Sequence, residues 1–292
     1  MVIGRFAPSP TGPLHFGSLV AAVASYCDAK SQGGQWLLRI EDVDQTRKVP
    51  GASEDIIATL KRYGFAWDGD ILYQSQRSEL YEEALSRLRE QNLVYPCTCS
   101  RKEIADSSTR QGIEGAIYPG TCRPFPIKPG MSAAWRLKTE HEVIGFEDAI
   151  QGHQQHQMAT DIGDFVIKRA DGLFSYQLAV VVDDALQGVT HVVRGADLLQ
   201  STTRQIYLQK SLGYATPVYA HIPLVLNEQG QKLSKQTLAN ALPQDNVKDT
   251  LINALHFLPF LPKPFPTFLS LSDLWRWAID HWQITNPAKT TI

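Results

Sequence analysis

Arg5-Phe6-Ala7-Pro8-Ser9-Pro10-Thr11-Gly12-Pro13-Leu14-His15-Phe16-Gly17-Ser18 runs from a short apolar strand at Val2 and Ile3 through a Pro/Gly turn into a helix. Pro8, Pro10 and Pro13 stiffen the turn, while Gly12 and Gly17 let a ligand approach the backbone closely. The helix that follows offers unpaired N–H groups to an anion, which suits a nucleotide phosphate. Leu19, Ala22, Val23, Tyr26 and Ala29 keep helical spacing. His15 and Ser18, three residues apart, therefore share one face of the first turn, as a triphosphate clamp requires.

A second stretch bears on the same chemistry. Lys232-Leu233-Ser234-Lys235-Gln236 follows a turn at Asn227 and Gly230, after the apolar run 222–226. Two lysines three apart around a small polar residue close on a polyphosphate as point charges. Either stretch alone reads equally well as a wet surface loop. In this order the two together point to a nucleotide-dependent enzyme.

Working outward, Trp36-Leu37-Leu38-Arg39-Ile40-Glu41-Asp42 reads as a buried strand ending in acid, and its alternation with helices predicts a parallel α/β sheet. Polar residues at the carboxyl end of such a strand face the ligand crevice, which makes Glu41 a candidate. Asp42 and Asp44 read instead as loop caps or partners of Arg47. Helices are predicted from Ser53 and around Leu80, Ala84, Leu85 and Leu88. Further strands are expected at 165–168, 178–184 and 189–194, with Val180, Val181 and Val182 buried on both faces and Asp183 and Asp184 at a carboxyl end. Asp171-Gly172 signals a hairpin between the first two of these strands, and Thr202 or Thr203 is the candidate cap of the helix after Asp197. Leu251, Ala254, Leu255 and Leu258, then Leu271, Leu274, Trp275, Ala278 and Trp282, form two helical core stripes separated by a proline-rich break.

The 292 residues are 43% hydrophobic and 20% charged, the composition of a soluble globular enzyme. No apolar run approaches the about 20 residues of a membrane span, and Gly4 and Arg5 interrupt any signal peptide at once. The expectation is a cytoplasmic monomer. A formal net charge of -2 argues against a long basic nucleic-acid footprint but leaves room for a local one. Of four cysteines, Cys27 falls on the apolar side of the first helix, as a core thiol would. Cys97, Cys99 and Cys122 are clustered and fit a tetrahedral ion lacking one ligand, zinc being the expected occupant. Tyr118, His153, His156 or a water are the candidates for the fourth position, and general ligand chemistry favours imidazole.

The two nucleotide stretches resemble the paired signatures of the class I aminoacyl-tRNA synthetases. The segment 164–197, taken with residues 5–12 and 232–235, is similar to the glutamyl-tRNA synthetase catalytic domain. Only residues 236–292 follow Lys235, too few for the anticodon-binding region of a discriminating synthetase. In this the chain resembles the truncated paralogues of that family, which activate L-glutamate with ATP and place it on the queuosine base in the anticodon of tRNA(Asp). The resemblance implies a Rossmann-like catalytic domain in two halves, 1–96 and 162–239. Between them lies an inserted zinc-bearing subdomain, 97–161, and residues 240–292 form a short helical C-terminal region.

The resemblance also implies residue roles. Arg5, Phe6, Ala7, Pro8, Ser9, Glu41, Tyr176 and Arg194 would hold glutamate, and His15, Gly17, Ser18, Lys232, Ser234 and Lys235 would hold ATP with its Mg. Of these, His15, Ser18, Lys232 and Lys235 would serve the reacting triphosphate. Cys97, Cys99, Tyr118 and Cys122 would hold one structural zinc, with tyrosine in the fourth position. Ser18 stands where the class signature has a second histidine, and it donates a hydrogen bond without carrying charge. Three other readings remain: a minimal synthetase charging the tRNA 3' end, a small-molecule nucleotidyltransferase, and a catalytically silent tRNA-binding paralogue.

Overall fold

The structure, a computed structural model, describes residues 1–113, 115–125, 131–227, 230–231, 233 and 240–284. Its first half is β1 (Ile3–Phe6), α1 (Phe16–Ser31), β2 (Gln35–Ile40), α2 (Ala52–Arg62), β3 (Leu72–Tyr73) and α3 (Ser78–Glu90). Then come β4 (Val94–Cys97), α4 (Arg101–Ser107), β5 (Gln111–Gly112), β6 (Gly115–Ala116), β7 (Ala134–Leu137), β8 (Val143–Asp148) and β9 (Gly152–Gln157). The chain continues through β10 (Phe165–Lys168), α5 (Tyr176–Leu186), β11 (His191–Gly195), α6 (Leu199–Leu212), β12 (Val218–Ile222), α7 (Val247–Phe257) and α8 (Leu271–His281).

β1, β2 and β3 pair in parallel, and so do β11, β12 and β8, with β9 antiparallel at the edge. The two groups meet where Thr190 N–H donates to the Ile3 carbonyl at 2.9 Å and Ile3 N–H donates to the Thr190 hydroxyl at 2.9 Å. From this seam the strands run β1, β2, β3 to one side and β11, β12, β8, β9 to the other, and in doubly wound sheets such a switch point opens the crevice that binds ligands. α1 lies beneath the seam, against β1, β11, α7 and α8, and is buried from Leu19 to Ala29 except at Ala21, which is half-buried. Trp36, fully buried on β2, stacks with Phe6 and Phe65 and ties this core to α8 through Tyr26 and Trp275. Both C-terminal stripes are core, and Cys27 is buried within it. No helix among the described residues is long and apolar enough to cross a membrane.

Several expectations change. Residues 178–184 are helical, inside α5, which starts where the Ser175 hydroxyl accepts the Leu178 N–H. Its valines are covered by α3, α6 and β10, so residues 178–184 are all buried, and a short apolar run of that kind carries no period to tell it from a strand. Asp183 and Asp184 are accordingly helix-interior residues. β10 belongs to a separate antiparallel sheet with β7 and β4, and the Asp171-Gly172 turn leads only to a single bridge, Lys168 to Phe174, before α5 begins. Thr202 and Thr203 cap nothing. A single 3-10 turn at Ala196–Leu198 runs straight into α6, and the Thr202 hydroxyl serves Arg194 instead.

Candidate active site

The ends of β1, β2, β3, β11 and β12 open on one cavity of about 790 Å³. Arg5, Phe6, Ala7, Pro8, Ser9, His15, Gly17, Ser18, Glu41, Tyr176 and Arg194 all line it. Lys232, Ser234, Lys235 and Gln236 lie outside the described residues; Leu233 lines the cavity, its N–H bonded to the Val225 carbonyl at 2.8 Å. The loop after β1 is braced from beneath, since Glu41 N–H donates to the Pro8 carbonyl at 3.0 Å and Val49 N–H to that of Pro10 at 2.9 Å. Gly12 takes φ +141°, a conformation that a side chain would strain.

At one wall, Arg5 is gripped by Asp184, Nε to Oδ1 at 3.2 Å and Nη2 to Oδ2 at 3.4 Å. Arg39, wholly buried, places Nη2 2.8 Å from Asp184 Oδ1 and 3.3 Å from Glu41 Oε1, and its Nη1 donates to Gln187 at 2.7 Å. Burial pushes the Asp184 carboxyl up, but the Arg5 and Arg39 guanidiniums hold it below the usual carboxylate range. Burial pushes Glu41 up, and although Arg39 and Arg5 pull the other way it stays above its ordinary value. A substrate ammonium beside Glu41 would restore its preference for charge.

On the neighbouring strand β11, Arg194 donates from Nε to His221 Nε2 at 3.0 Å, from Nη2 to Thr202 at 2.8 Å, and from Nη1 to the Tyr176 hydroxyl at 3.4 Å. Its guanidinium lies 5.4 Å from the Tyr219 ring centre. At the cavity's third side, α1 presents its amino end. His15 caps the helix, its Nδ1 accepting the Ser18 N–H at 3.3 Å, so this amide is already engaged. A Cβ on Gly17 would sit 3.2 Å from the His15 ring and 3.6 Å from the Leu233 carbonyl, so Leu233 approaches the start of α1 beside the histidine. With no acidic residue in its first turn, α1 leaves an anion unopposed.

Asp42 faces away from the cavity. It accepts the Ser75 N–H and hydroxyl at 2.9 and 2.8 Å and pairs with Lys48 at 3.4 Å, while Asp44 pairs with Arg169 at 3.0 Å. The expected partner, Arg47, takes neither. The sequence reading missed Arg39, Asp148, Asp184 as an arginine partner, Thr202 and His221. Charged or imidazole side chains inside otherwise apolar elements, Arg39 on β2 and His221 on β12, were the available signal.

The three clustered thiols lie together. Cys97, Cys99 and Cys122 sulfurs are all within 4.8 Å of one another, the one such group of His, Cys, Asp or Glu among the described residues. The Tyr118 hydroxyl sits 3.4 Å from Cys97 Sγ and 3.5 Å from Cys99 Sγ, and Cys99 Sγ lies 3.5 Å from Cys122 Sγ. A tetrahedral ion with sulfur at about 2.3 Å and oxygen at about 2.0 Å has S–S edges of about 3.8 Å and S–O edges of about 3.5 Å, so this donor set can bind a metal. Burial raises the Cys99 thiol to about 11; burial acts the same way on Cys122, but bonds from Tyr118, the Thr98 backbone and Cys99 lower it to about 7. Neither histidine candidate is near: His153 bonds Glu147 and His156 bonds Thr203, at 2.7 and 2.9 Å. The Arg136 guanidinium covers the Tyr118 ring at 4.1 Å, and Arg123, next to Cys122, is anchored on buried Asp164 with Nε 2.6 Å from Oδ2.

Residues 1–267 match the profile described as tRNA synthetases class I (E and Q), catalytic domain. A Dechloromonas aromatica (strain RCB) protein named Glutamyl-Q tRNA(Asp) synthetase is 56% identical over 283 residues, 96% of this chain and 93% of that protein. One of the same name from Neisseria meningitidis serogroup C (strain 053442) is 52% identical over 295 residues, covering 100% of this chain and 99% of that one. The crystal structure of glutamate-tRNA synthetase from Elizabethkingia anophelis is similar at a TM-score of 0.80 and 25% identity, over 97% of this chain; the match spans 66% of that longer chain.

Proposed function

This chain belongs to the class I tRNA synthetase (E and Q) catalytic-domain family, and we propose that it activates L-glutamate with ATP and transfers the glutamyl group to the queuosine base in the anticodon of tRNA(Asp). The observation that carries the reading is the joint lining of one cavity by Arg5, Glu41, Tyr176, Arg194 and the amino end of α1. The acceptor is taken from the printed names of relatives matched along nearly their whole length.

Glutamate enters with its ammonium toward Glu41 and its carboxylates toward the guanidiniums, which meet them as planar forks. An α-carboxylate oxygen attacks the α-phosphorus of ATP, the α–β anhydride bond breaks, and pyrophosphate leaves. Such a displacement needs positioning and charge more than covalent help. His15 and the end of α1 supply these on one side; Lys232 and Lys235 are assigned the other side from their motif. Ser18, whose amide is bound to His15, contributes its hydroxyl. Mg enters as the companion of ATP. In the second step a hydroxyl of the queuosine diol attacks the glutamyl carbonyl, an ester forms and AMP leaves. Cys97, Cys99, Tyr118 and Cys122 would hold one zinc, which with four protein ligands would be structural.

The test is incubation with ATP, labelled glutamate and tRNA(Asp) with or without queuosine, followed by nuclease mapping. Label on the anticodon fragment of the queuosine-bearing tRNA alone is expected. Label at the 3' end would make this a minimal synthetase, and no label with no glutamate-dependent pyrophosphate exchange would leave a silent binding protein.

A further inference from the structure

Arg194 is 5% exposed, yet its hydrogen-bond partners among the described residues are all uncharged: His221, Thr202, Tyr176 and the Leu198 carbonyl. In the adjoining cluster, Arg5, Arg39, Glu41 and Asp184 balance two guanidiniums with two carboxylates. A buried cation lacking a carboxylate is destabilising unless something anionic joins it, so Arg194 is where an incoming carboxylate gains most. The α-carboxylate must reach the phosphorus, which leaves the unreacted side-chain carboxylate as the group suited to a fixed fork.

His221 holds that fork. Its Nδ1 is 2.5 Å from Asp148 Oδ2, and Asp148 Oδ1 accepts the N–H groups of Ile150 at 3.0 Å, Gln151 at 2.8 Å and His221 itself at 3.1 Å. An arginine N–H only donates, so His221 Nε2 must accept from Arg194, and the proton sits on Nδ1 facing Asp148. The ring is then neutral, with the Thr202 hydroxyl 3.1 Å from the same nitrogen and the Tyr219 ring stacked on it. Both partners are fully buried and Asp148 is tied to the backbone, so the imidazole cannot turn without breaking several bonds.

We propose that His221, oriented by Asp148, is a positioning residue for glutamate: it aims Arg194 into the cavity while adding no charge, so that the substrate's side-chain carboxylate completes the ion pair. A carboxylate in its place would neutralise Arg194 before glutamate arrived. This rests on the cavity being the glutamate site, and it goes further by assigning a residue that touches no substrate.

Glutamate-dependent pyrophosphate exchange of the full chain tests it, with KM for glutamate and for ATP measured on wild type, His221→Leu and His221→Gln. Leucine cannot accept from Arg194; glutamine can. The expected result is a rise of about tenfold or more in glutamate KM for His221→Leu with ATP KM within twofold, and glutamate KM within about threefold of wild type for His221→Gln. Unchanged glutamate KM in His221→Leu, or both KM values rising together, would overturn the proposal. Should the leucine variant melt below the assay temperature, the glutamine variant decides: a folded His221→Gln with a tenfold higher glutamate KM overturns it, and a near wild-type value supports it. Absence of exchange in the wild type would instead sink the glutamate-activation reading itself.

Discussion

Replacing Asp184 by asparagine removes one charge from the most compact ion cluster of the cavity. Asp184 lies between the Arg5 and Arg39 guanidiniums, with contacts of 3.2, 3.4 and 2.8 Å and side-chain exposures of 7%, 4% and 0% for Asp184, Arg5 and Arg39. In Asp184→Asn the amide oxygen can keep two of these contacts, but the amide NH2 then confronts the Arg5 Nη2 donor. Arg5 is left without a bonded carboxylate, and Arg39 keeps Glu41 and the nearby charge of Asp183. Removing one partner of a buried ion pair costs about 3–5 kcal/mol, which for a chain of this size lowers the melting temperature on the order of 10 °C. Arg5 also loses the grip that sets its direction, and misplacement of a positioning fork by about 1 Å reduces kcat/KM on the order of a hundredfold. Thermal melting by circular dichroism and glutamate-dependent pyrophosphate exchange read the two effects. Asp183→Asn is the comparison: Asp183 bonds Gln74, Arg77 and Tyr81, not Arg5, so it is expected to destabilise while leaving glutamate kcat/KM within about fivefold. An Asp184→Asn variant with wild-type melting and wild-type kcat/KM would refute this reasoning.

Burial holds His221 below the ordinary histidine range despite Asp148, with Arg194 and Arg5 pressing the same way, so on acidification the unfolded chain takes up this proton first. Its contribution to stability is therefore whole above about pH 6.5 and falls by up to about 1.4 kcal/mol per pH unit below it, until the folded histidine is itself protonated. Urea unfolding of His221→Gln should show an acid limb shallower by one proton, and identical limbs would contradict the neutral assignment. Gly34→Ala places a Cβ 2.5 Å from the Val2 carbonyl oxygen and 2.9 Å from that of Ala29, both backbone. A loss of at least about 2 kcal/mol is expected, because strand and helix must shift; a melting temperature within 1 °C of wild type would contradict it. Zinc analysis with native mass spectrometry should find one ion per chain in wild type and none in Cys99→Ser, with Tyr118→Phe binding more weakly. Metal-free wild type with reduced thiols would remove the site.

The first loop and helix were legible because local chemistry decides them: prolines and a glycine fix the turn, and α1 repeats its apolar positions at helical spacing. The clustered thiols were legible because cysteine chemistry is narrow. α5 was not, since a helix buried on every side shows the same unbroken valine run as a central strand. The partners of Arg5 and Arg194 were hidden for another reason. Asp184 is 179 residues from Arg5, and Asp148 is 73 from His221, so only the folded sheet and its covering helices bring them together. The three-stranded sheet of β4, β7 and β10 was likewise unreadable, because pairing between distant short strands leaves no local mark.

The most direct measurement is a crystal structure of this chain with a non-hydrolysable glutamyl-adenylate analogue. The expected result is the glutamyl side-chain carboxylate on Arg194, its ammonium near Glu41, and the adenylate phosphate at the amino end of α1 beside His15. An analogue bound in another crevice, or in this cavity with no carboxylate on either Arg5 or Arg194, would contradict the assignment of the cavity as the site of glutamate activation.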